Sequence, residues 1–301
     1  MREGGMNPEP TILVTGVNGQ VGFELLRTLQ GLGRVVACDR AMLDLSDLDR
    51  VRAVVRDVKP SLIVNPAAYT AVDKAETEIE AARRLNADVP RVFAEEMASN
   101  GGTLIHYSTD YVFDGTKPDA YTETDATNPL NVYGATKLDG ERAIAATGCA
   151  HLILRTSWVY GRRGRNFLLT MLKLGAERSE LRVVADQVGA PTWTKTIAAA
   201  TAHIITQGLM SADPDWWGHR SGVYHLTSAG ATSWCGFAEA ILGTAMGARA
   251  PKIVPIPSSE YPTLAKRPVN SRMALGKLDE VFGLRMPSWE DALRLCLGER
   301  T

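Results

Sequence analysis

The sequence has few cysteines, and none is placed to hold a metal ion or a set of disulfides. Its four cysteines, Cys38, Cys149, Cys235 and Cys296, are scattered along the chain, with no CxxC pair and no Cys/His cluster. This spacing argues against a disulfide framework and against a structural zinc site. We therefore expect reduced thiols and a cytoplasmic protein.

Excess charge and long apolar runs are also missing. The 33 Lys and Arg residues balance 34 Asp and Glu residues to a net charge of -1, so no global field attracts nucleic acid or an anionic membrane. Apolar stretches such as Thr11–Val14 and Ile197–Ile205 are far shorter than the ~18 residues of a membrane span. Residues 1–10 lack the apolar core of a secretory signal, so we interpret them as a flexible leader. We expect a small-molecule partner, no nucleic acid and no membrane.

Strands and helices alternate along the first half of the sequence. The 301 residues are 45% hydrophobic and 22% charged, as in an ordinary globular protein of one large or two modest domains. Short apolar runs predict strands at Thr11–Thr15, Arg34–Cys38, Ser61–Asn65, Thr103–Ser108 and His151–Arg155. Apolar residues spaced by three or four predict helices at Gln20–Leu32, Leu48–Val58, Thr77–Asn100 and Val132–Thr147.

This alternation predicts an α/β fold with a doubly wound parallel (Rossmann) sheet, because parallel crossovers are nearly always right-handed. We assign residues 11–181 to this domain. From about Arg182 the elements become short and rich in Gly and Pro, and Pro251–Pro257 is typical of an edge strand. Residues 182–301 are expected to form a smaller C-terminal α/β domain, from which some segments cross back.

The first predicted strand leads into a glycine-rich turn, GVNGQVG at residues 16–22. Gly16 allows the tight turn, Gly19 lets the backbone approach a pyrophosphate, and Gly22 permits close packing of the helix on the strand. The spacing is GxxGxxG rather than GxGxxG, and a turn without a ligand is the alternative. Its place between a strand and a helix favours a dinucleotide site. The candidate cofactor contacts here are Gly16, Asn18, Gly19, Gln20 and Val21.

The second predicted strand ends at Asp39 and Arg40, where adenosine ribose is recognised in such sheets. Asp39 alone favours NAD, because a carboxylate holds the ribose hydroxyls. Arg40 favours NADP, because a guanidinium matches a 2′-phosphate. The choice between NADH and NADPH stays open, and exposed loop charge is the alternative for both residues.

The sharpest chemical pattern is Tyr133 followed by Lys137. Residues four apart on a helix project from one face, and a neighbouring ammonium favours the phenolate of a tyrosine. Ser108 and Thr109 end a predicted strand at the edge that faces the cofactor crevice. A hydroxyl there, with Tyr133, could hold a carbonyl oxygen and stabilise the alkoxide that forms on hydride attack. The alternative for Tyr133 and Lys137 is a solvated helix face.

Together these features resemble the extended short-chain dehydrogenase/reductase superfamily. Four longer strings resemble one family within it, the dTDP-4-dehydrorhamnose reductases: Asn65–Glu76 (NPAAYTAVDKAE), Ser108–Gly115 (STDYVFDG), Arg155–Tyr160 (RTSWVY) and Asp186–Thr192 (DQVGAPT). The similarity extends from about Thr11 to about Asp291. It implies reduction, by NADPH or NADH, of the C4 ketone of dTDP-4-dehydro-6-deoxy-L-mannose to dTDP-L-rhamnose, the last step of dTDP-L-rhamnose biosynthesis.

The resemblance implies that Thr109, Tyr133 and Lys137 form the catalytic triad, with Tyr133 supplying the proton. Lys137 would also hold the nicotinamide ribose. Further cofactor contacts are expected at Asp44, Leu45, Ala67, Ala68 and Tyr69. Sugar-pocket contacts are expected at Thr70, Val72, Thr109, Asp110, Tyr111 and Trp158. Residues 182–301 would form the sugar-nucleotide substrate domain. Ordinary aromatic packing is the alternative for Tyr111 and Trp158.

Other classes fit less well. Related nucleotide-sugar dehydratases carry Asp-Glu where this chain has Asp110 and Tyr111, because elimination of water needs an extra acid–base pair. Arginines within 267–272 could clamp the diphosphate of the substrate. No carboxylate cluster has metal spacing, and Lys195 stands where an acidic ligand would be sought, so we predict no catalytic metal. A reductase of a different dTDP-4-ketosugar, a non-catalytic nucleotide-binding regulatory subunit and a homodimeric assembly remain open.

Overall fold

A computed structural model describes residues 9–298 of the chain, so most of the predicted leader lies outside the described residues. The strands are β1 Thr11–Val14, β2 Arg34–Ala37, β3 Leu62–Asn65, β4 Thr103–Thr109, β5 Ala150–Thr156, β6 Val159–Tyr160, β7 Glu180–Val184, β8 Val188–Gly189, β9 Thr192–Trp193, β10 Gly222–His225, β11 Thr232–Ser233 and β12 Lys252–Ile256. The helices are α1 Gln20–Thr28, α2 Leu48–Val58, α3 Val72–Ala75, α4 Ile79–Arg83, α5 Val89–Asn100, α6 Val132–Ala146, α7 Phe167–Glu177, α8 Thr194–Met210, α9 Trp216–His219, α10 Trp234–Met246, α11 Gly276–Phe282 and α12 Trp289–Gly298.

The central sheet has six strands in the order β10-β5-β4-β3-β1-β2, and every neighbouring pair is parallel. The chain passes from β1 to β2 on one side, then crosses to β3 on the other. The order of strands therefore reverses between β1 and β3, and the loops that follow them diverge to leave a crevice at their carboxyl ends. The predicted doubly wound parallel sheet is confirmed.

The two faces of the sheet are covered by helices whose apolar stripes match the alternation of the strands. In β1, Ile12 packs into the core on the α1 and α8 side, and Leu13 packs into the core on the α2 and α5 side. Leu25 of α1 and Phe93 of α5 are completely buried in these two cores. A strand buried on both faces needs a continuous apolar run, which explains the sequence of β1.

The later part of the chain has its own core but is not confined to it. Buried residues such as Leu168, Phe237 and Leu293 join α7, α10 and α12 beside the two-stranded pair of β7 and β12. However, α8 packs on α1, and β10 extends the central sheet by pairing with β5. Segments after residue 181 thus cross back to the sheet, and the division at residue 181 stays a prediction.

One predicted helix is interrupted in the structure. Instead of a single helix over Thr77–Asn100, the chain forms α4, a π-helical turn at Arg84–Asp88, and α5. The π turn buries Asn86, and α6 packs so closely there that a Cβ at Gly140 would lie 2.1 Å from the Asn86 carbonyl oxygen. The turn is held by the contact of Asn86 with Tyr69, 17 residues earlier, so the local sequence pattern could not reveal it.

The first helix is shorter than predicted, because α1 ends at Thr28 rather than at Leu32. Gly31 and Gly33 follow with φ angles of 84° and 148°, which turn the chain into β2.

No helix of residues 9–298 is long and apolar enough to span a bilayer.

Candidate active site

A cleft of about 670 Å³ opens at the carboxyl ends of the sheet strands, where the strand order reverses. The loops that follow β1 to β6 contribute to its lining, together with the start of α6 and Trp234 at the start of α10. The predicted site residues found in this lining are Gly16, Asn18, Gly19, Gln20, Val21, Leu45, Ala67, Ala68, Thr70, Val72, Thr109, Asp110, Tyr111, Tyr133, Lys137 and Trp158. Residues predicted separately for the cofactor, the chemistry and the sugar therefore share one cleft.

The three glycines of the first turn each meet a steric limit. Gly16 has a φ of 55°, and a Cβ there would lie 3.0 Å from the backbone of Ala67. A Cβ at Gly22 would lie 2.3 Å from the Gly16 carbonyl oxygen, and one at Gly19 would lie 3.0 Å from the same atom. The bare backbone forms a cradle in front of the N-terminus of α1, where unpaired N–H groups favour phosphate oxygens. This cradle fits the pyrophosphate of a dinucleotide.

Three predicted cofactor contacts lie beyond the end of β2 and do not line the cleft. Asp39 Oδ1 accepts hydrogen bonds from the backbone N–H groups of Ala41 and Met42, at 3.0 and 2.9 Å, so this oxygen shapes the turn. Asp44 Oδ1 accepts from the backbone and the hydroxyl of Ser46. Arg40 is exposed beside them.

The loop after β3 presents Ala67, Ala68 and Thr70 to the cleft, whereas Tyr69 points elsewhere. The Tyr69 hydroxyl donates to Glu78 Oε2 at 2.5 Å, which raises the pKa of the phenol. Buried Asn86 fixes this loop: its Oδ1 accepts from the Tyr69 N–H at 2.8 Å, and its Nδ2 donates to the Tyr69 carbonyl at 3.2 Å. The π turn therefore serves to aim this loop at the cleft.

The start of α6 carries the two residues of the predicted proton donor pair. Asn131 caps the helix by accepting from the Gly134 N–H at 2.8 Å, which sets Tyr133 in the first turn. Burial raises the pKa of Tyr133 to about 12, and the charge of Asp110 adds to this rise, while the Thr109 hydroxyl opposes it. The phenol is thus protonated at neutral pH, contrary to the expectation that Lys137 brings it toward ionisation.

The reason is the direction of the Lys137 side chain. Its Nζ lies 2.5 Å from the Tyr107 carbonyl oxygen and 3.0 Å from His106 Nε2, and the side chain is 1% exposed. Burial lowers the pKa of Lys137 to about 7, although the charge of Glu141 one turn later raises it. The amine is therefore anchored to β4, and its charge is sensitive to its surroundings.

Aromatic and charged groups lie close together around Tyr111 in the cleft. The rings of Tyr111 and Tyr133 pack edge to face, with centroids 5.8 Å apart. The Tyr111 hydroxyl is hydrogen-bonded by Arg267, whose Nη2 also donates to Asp73 Oδ2 at 2.9 Å. By contrast, Arg272 is folded back on its own loop, where its Nε donates to Asn270 Oδ1 at 2.9 Å. Of the arginines in the predicted diphosphate segment, Arg267 is the one beside the cleft residues.

Trp158 adopts an unusual backbone conformation at the edge of the cleft. Its φ is 46°, a left-handed value that a bulky residue rarely takes. Its indole stacks on that of Trp234, and the absence of a side chain at Gly189 leaves room for it. A strained backbone of this kind persists only where contacts with the surrounding structure hold it in place.

Several residues at the cleft carry no prediction from the sequence. They are Trp234, Thr156 and Arg165. The Thr156 hydroxyl, like that of Ser108, which the sequence predicts at this edge, is buried with no hydrogen-bond partner among residues 9–298. Strand ends point to Ser108 and Thr156, but nothing local in the sequence distinguishes Trp234 or Arg165 from surface residues. In the same part of the chain, no group of three or more His, Cys, Asp and Glu residues is arranged to hold a metal ion.

Comparison with known proteins identifies relatives over nearly the whole chain. A dTDP-4-dehydrorhamnose reductase of Burkholderia thailandensis is 50% identical over 292 residues, which cover 95% of this chain and 97% of the relative. The dTDP-4-dehydrorhamnose reductase of Escherichia coli K12 is 44% identical over 296 residues, which cover 96% and 97%.

Solved structures are similar along the same length. The crystal structure of dTDP-4-dehydrorhamnose reductase from Bacillus anthracis in complex with NADP has a TM-score of 0.86 and 35% identity, and the match covers 96% of this chain and 98% of that one. The corresponding enzyme of Clostridium acetobutylicum has a TM-score of 0.88 and 36% identity, with coverage of 95% and 98%. The family model described as RmlD substrate binding domain matches residues 10–301. The resemblance predicted from the sequence is therefore confirmed, and the chain belongs to the RmlD substrate binding domain family.

Proposed function

We propose that this chain reduces the C4 ketone of dTDP-4-dehydro-6-deoxy-L-mannose to give dTDP-L-rhamnose, with NADPH or NADH as the hydride donor. One observation carries the proposal: Thr109, Tyr133 and Lys137 line the same cleft as the glycine cradle. A nucleotide-binding protein without chemistry has no need for a buried lysine one helical turn from a phenol at this place. The dTDP-4-dehydrorhamnose reductases of Burkholderia thailandensis and Escherichia coli, to which this chain is similar, support the sugar substrate.

The residues of the cleft fit a nicotinamide dinucleotide. Gly16 and Gly19 would hold its pyrophosphate at the N-terminus of α1, with Ala67 and Ala68 against the nicotinamide half. Arg40, exposed beyond β2, would pair with a 2′-phosphate, while the carboxylate of Asp39 is partly used by its own turn. We therefore favour NADPH over NADH. When bound, the cofactor supplies the hydride.

The chain supplies the proton and holds the carbonyl. At neutral pH Tyr133 is a phenol, so its hydroxyl can donate a proton to the C4 oxygen as that oxygen becomes an alkoxide. The Thr109 hydroxyl stands beside it, where it accepts from the Tyr111 N–H at 3.1 Å and donates to Asp110 Oδ1 at 3.0 Å. It would orient the ketone by turning its hydrogen from Asp110 to the carbonyl oxygen. When charged, Lys137 places a positive charge one helical turn from Tyr133, which would favour the phenolate that remains after proton transfer.

The sugar nucleotide would occupy the side of the cleft formed by Thr70, Val72, Asp110, Tyr111 and Trp158. Trp158 offers an indole face to an apolar sugar or base surface, and Arg267 offers a guanidinium to a phosphate. We also infer cytoplasmic localisation, because the four cysteines are buried and form no disulfide among residues 9–298. The predicted absence of a catalytic metal and the two-domain division belong to the same proposal.

A panel of dTDP-, UDP- and GDP-4-ketosugars, each with NADPH and NADH, tests this function. We expect oxidation of the nicotinamide only with dTDP-ketosugars, and fastest with the 4-dehydro-6-deoxy-L-mannose form. Faster reduction of a differently configured dTDP-ketosugar would support the sister-enzyme alternative. Cofactor binding without oxidation by any sugar in the panel would support the regulatory subunit and refute reduction.

A further inference from the structure

A line of buried polar groups runs from β1 through β3 and β4 to the amine of Lys137. The Thr15 hydroxyl donates to Asn65 Oδ1 at 2.6 Å, Asn65 Nδ2 lies 3.0 Å from His106 Nδ1, and His106 Nε2 lies 3.0 Å from Lys137 Nζ. Asn65 and His106 are 0% exposed. Each side chain in this line contacts the one before it and the one after it, so their protons must be consistent with one another.

The hydrogen-bond donors and acceptors of this line determine which nitrogen of His106 carries the proton in the structure. The Asn65 amide nitrogen only donates, so His106 Nδ1 must accept, and a neutral imidazole then carries its proton on Nε2. That Nε2–H points at Lys137 Nζ. An ammonium cannot accept this hydrogen bond, whereas a neutral amine can, while it donates one of its own hydrogens to the Tyr107 carbonyl.

The charged form of Lys137 requires the opposite set of protons. An ammonium donates to His106 Nε2, so the imidazole must carry its proton on Nδ1. Asn65 then has to present its oxygen to Nδ1 by a half-turn of its carboxamide, and its nitrogen donates to Thr15, whose hydroxyl both donates and accepts. In both arrangements, each of the three contacts between Thr15 and Lys137 pairs one donor with one acceptor, and a mismatched contact would be costly at this depth.

We propose that His106, held by Asn65 and Thr15, is a tautomer switch that gives Lys137 a matched partner in both of its charge states and so positions it for proton exchange beside Tyr133. His106 itself stays neutral throughout, because burial and the adjacent Lys137 hold its pKa well below the usual range. His106 is thus a positioning residue that acts through Lys137. This inference rests on the proposed function, in which Lys137 serves Tyr133.

Other charged groups near Lys137 also influence its charge state. Glu141 faces it from α6, but Arg155 of β5 already pairs with that carboxylate at 2.6 Å. Asp110, at the end of β4, acts on Tyr133. His106 is therefore the side chain that contacts the amine directly, and the tautomer should follow the charge of Lys137.

Selective 15N labelling of histidine gives a direct test, because the two imidazole nitrogens have different shifts in the two tautomers. The His106 signals are assigned by their loss in His106→Gln. We expect the Nε2–H form above about pH 8 and the Nδ1–H form below about pH 6, with a midpoint at the Lys137 pKa of about 7. Lys137→Met should leave one tautomer at every pH. A single tautomer across this range in the unmodified chain, or an imidazolium signal, would overturn the proposal.

Kinetics provide a second measurement that a merely structural role would not move. In His106→Leu, we expect kcat to fall about tenfold or more and the pH limb assigned to Lys137 to move by about one unit, with partial rescue in His106→Gln. Thr201→Val is the matched control, since it removes a buried hydrogen bond of 2.7 Å to the Tyr107 hydroxyl without reaching Lys137. An unmoved limb in His106→Leu would contradict the switch.

The two proposals fail in different ways. If no ketosugar is reduced but the His106 tautomer still titrates with Lys137, the proposed reaction is wrong and the switch stands. If the enzyme is active and the tautomer is fixed, only the switch is wrong.

Discussion

Trp158 lies flat on Trp234, with ring centroids 3.5 Å apart and an interplanar angle of 3°. A left-handed backbone at Trp158 costs on the order of 1–3 kcal/mol, so this stack has to be held from both sides. Gly189 supplies the other side, because a Cβ there would lie 2.6 Å from the Trp158 ring. The position of an indole at the proposed sugar pocket thus depends on a glycine in β8.

Gly189→Ala should displace Trp158 and weaken substrate binding. We expect KM for the ketosugar to rise about tenfold, the equivalent of ~1.4 kcal/mol, with little change in KM for NADPH. Steady-state kinetics with each substrate varied in turn measure the difference. Gly243→Ala is the control, because nothing lies within 4 Å of its Cβ position in α10. Equal effects of the two variants on sugar KM would contradict this role for Gly189.

Tyr133→Phe should abolish proton donation while the ring still fills its place. We expect a loss of about 10²- to 10⁴-fold in kcat with NADPH binding retained, as measured by turnover and by quenching of cofactor fluorescence. Tyr224→Phe is the matched control, because its hydroxyl donates to the Arg220 carbonyl at 2.7 Å away from the cleft. Wild-type turnover by Tyr133→Phe would mean that another group supplies the proton.

Arg40→Ser should change the preference between cofactors. Loss of a charged hydrogen bond to a 2′-phosphate costs ~1.5–3 kcal/mol, so we expect NADPH affinity to fall about 10- to 100-fold and NADH affinity to stay constant. Isothermal titration with both cofactors measures this. Arg34→Ser serves as the control, because Arg34 lies at the opposite end of β2 and bonds the Thr11 hydroxyl. A parallel loss for both cofactors would exclude the phosphate contact.

Asp110→Asn should stabilise the fold at neutral pH. Burial raises the pKa of Asp110 from 3.8 to about 6, so the folded state bears the cost of a buried carboxylate above pH 6 and none below pH 3.8. We expect the variant to gain about 2–3 kcal/mol of unfolding free energy near pH 7.5, and much less near pH 4. Urea denaturation at both pH values measures the gain. A gain that does not depend on pH would assign it to packing instead.

The ion pair between Glu141 and Arg155 should behave as a buried structural contact. Their side chains are 5% and 4% exposed, with Arg155 Nη2 2.6 Å from Glu141 Oε2. Glu141→Gln leaves the guanidinium without its counter-charge, so we expect a loss of about 3–5 kcal/mol of unfolding free energy by chemical denaturation. Removal of the exposed pair by Arg294→Ala should cost below about 1 kcal/mol. Similar losses from the two variants would contradict this contrast.

The positions of site residues at the ends of strands were predictable, because parallel strands bring their carboxyl ends to one edge of the sheet. Gly16 and Ala67 follow β1 and β3, Thr109 ends β4, and the order of elements alone places them at one cleft. Lys137 was predictable from its spacing to Tyr133, but its direction was not. His106 competes for the lysine amine from β4, and periodicity carries no information about such long-range hydrogen bonds.

Local sequence patterns could not predict the π turn between α4 and α5 or the contact of Trp234 with Trp158, for a similar reason. Asn86 is buried because its amide satisfies the backbone of Tyr69, a contact across 17 residues. Trp234 meets Trp158 only once α10 and the loop after β5 have been packed together. In both cases a tertiary contact with a residue far along the chain stabilises one local conformation among several of similar energy.

The pairing of β10 with β5 has a consequence for synthesis of the chain on the ribosome. Residues 222–225 complete the sheet, so the edge of β5 keeps its N–H and C=O groups open until most of the protein has emerged. An open edge of apolar strand is a template for pairing with another nascent chain. Truncation after residue 181 would make that temporary exposure permanent, and such a fragment should self-associate instead of persisting as an independent nucleotide-binding unit.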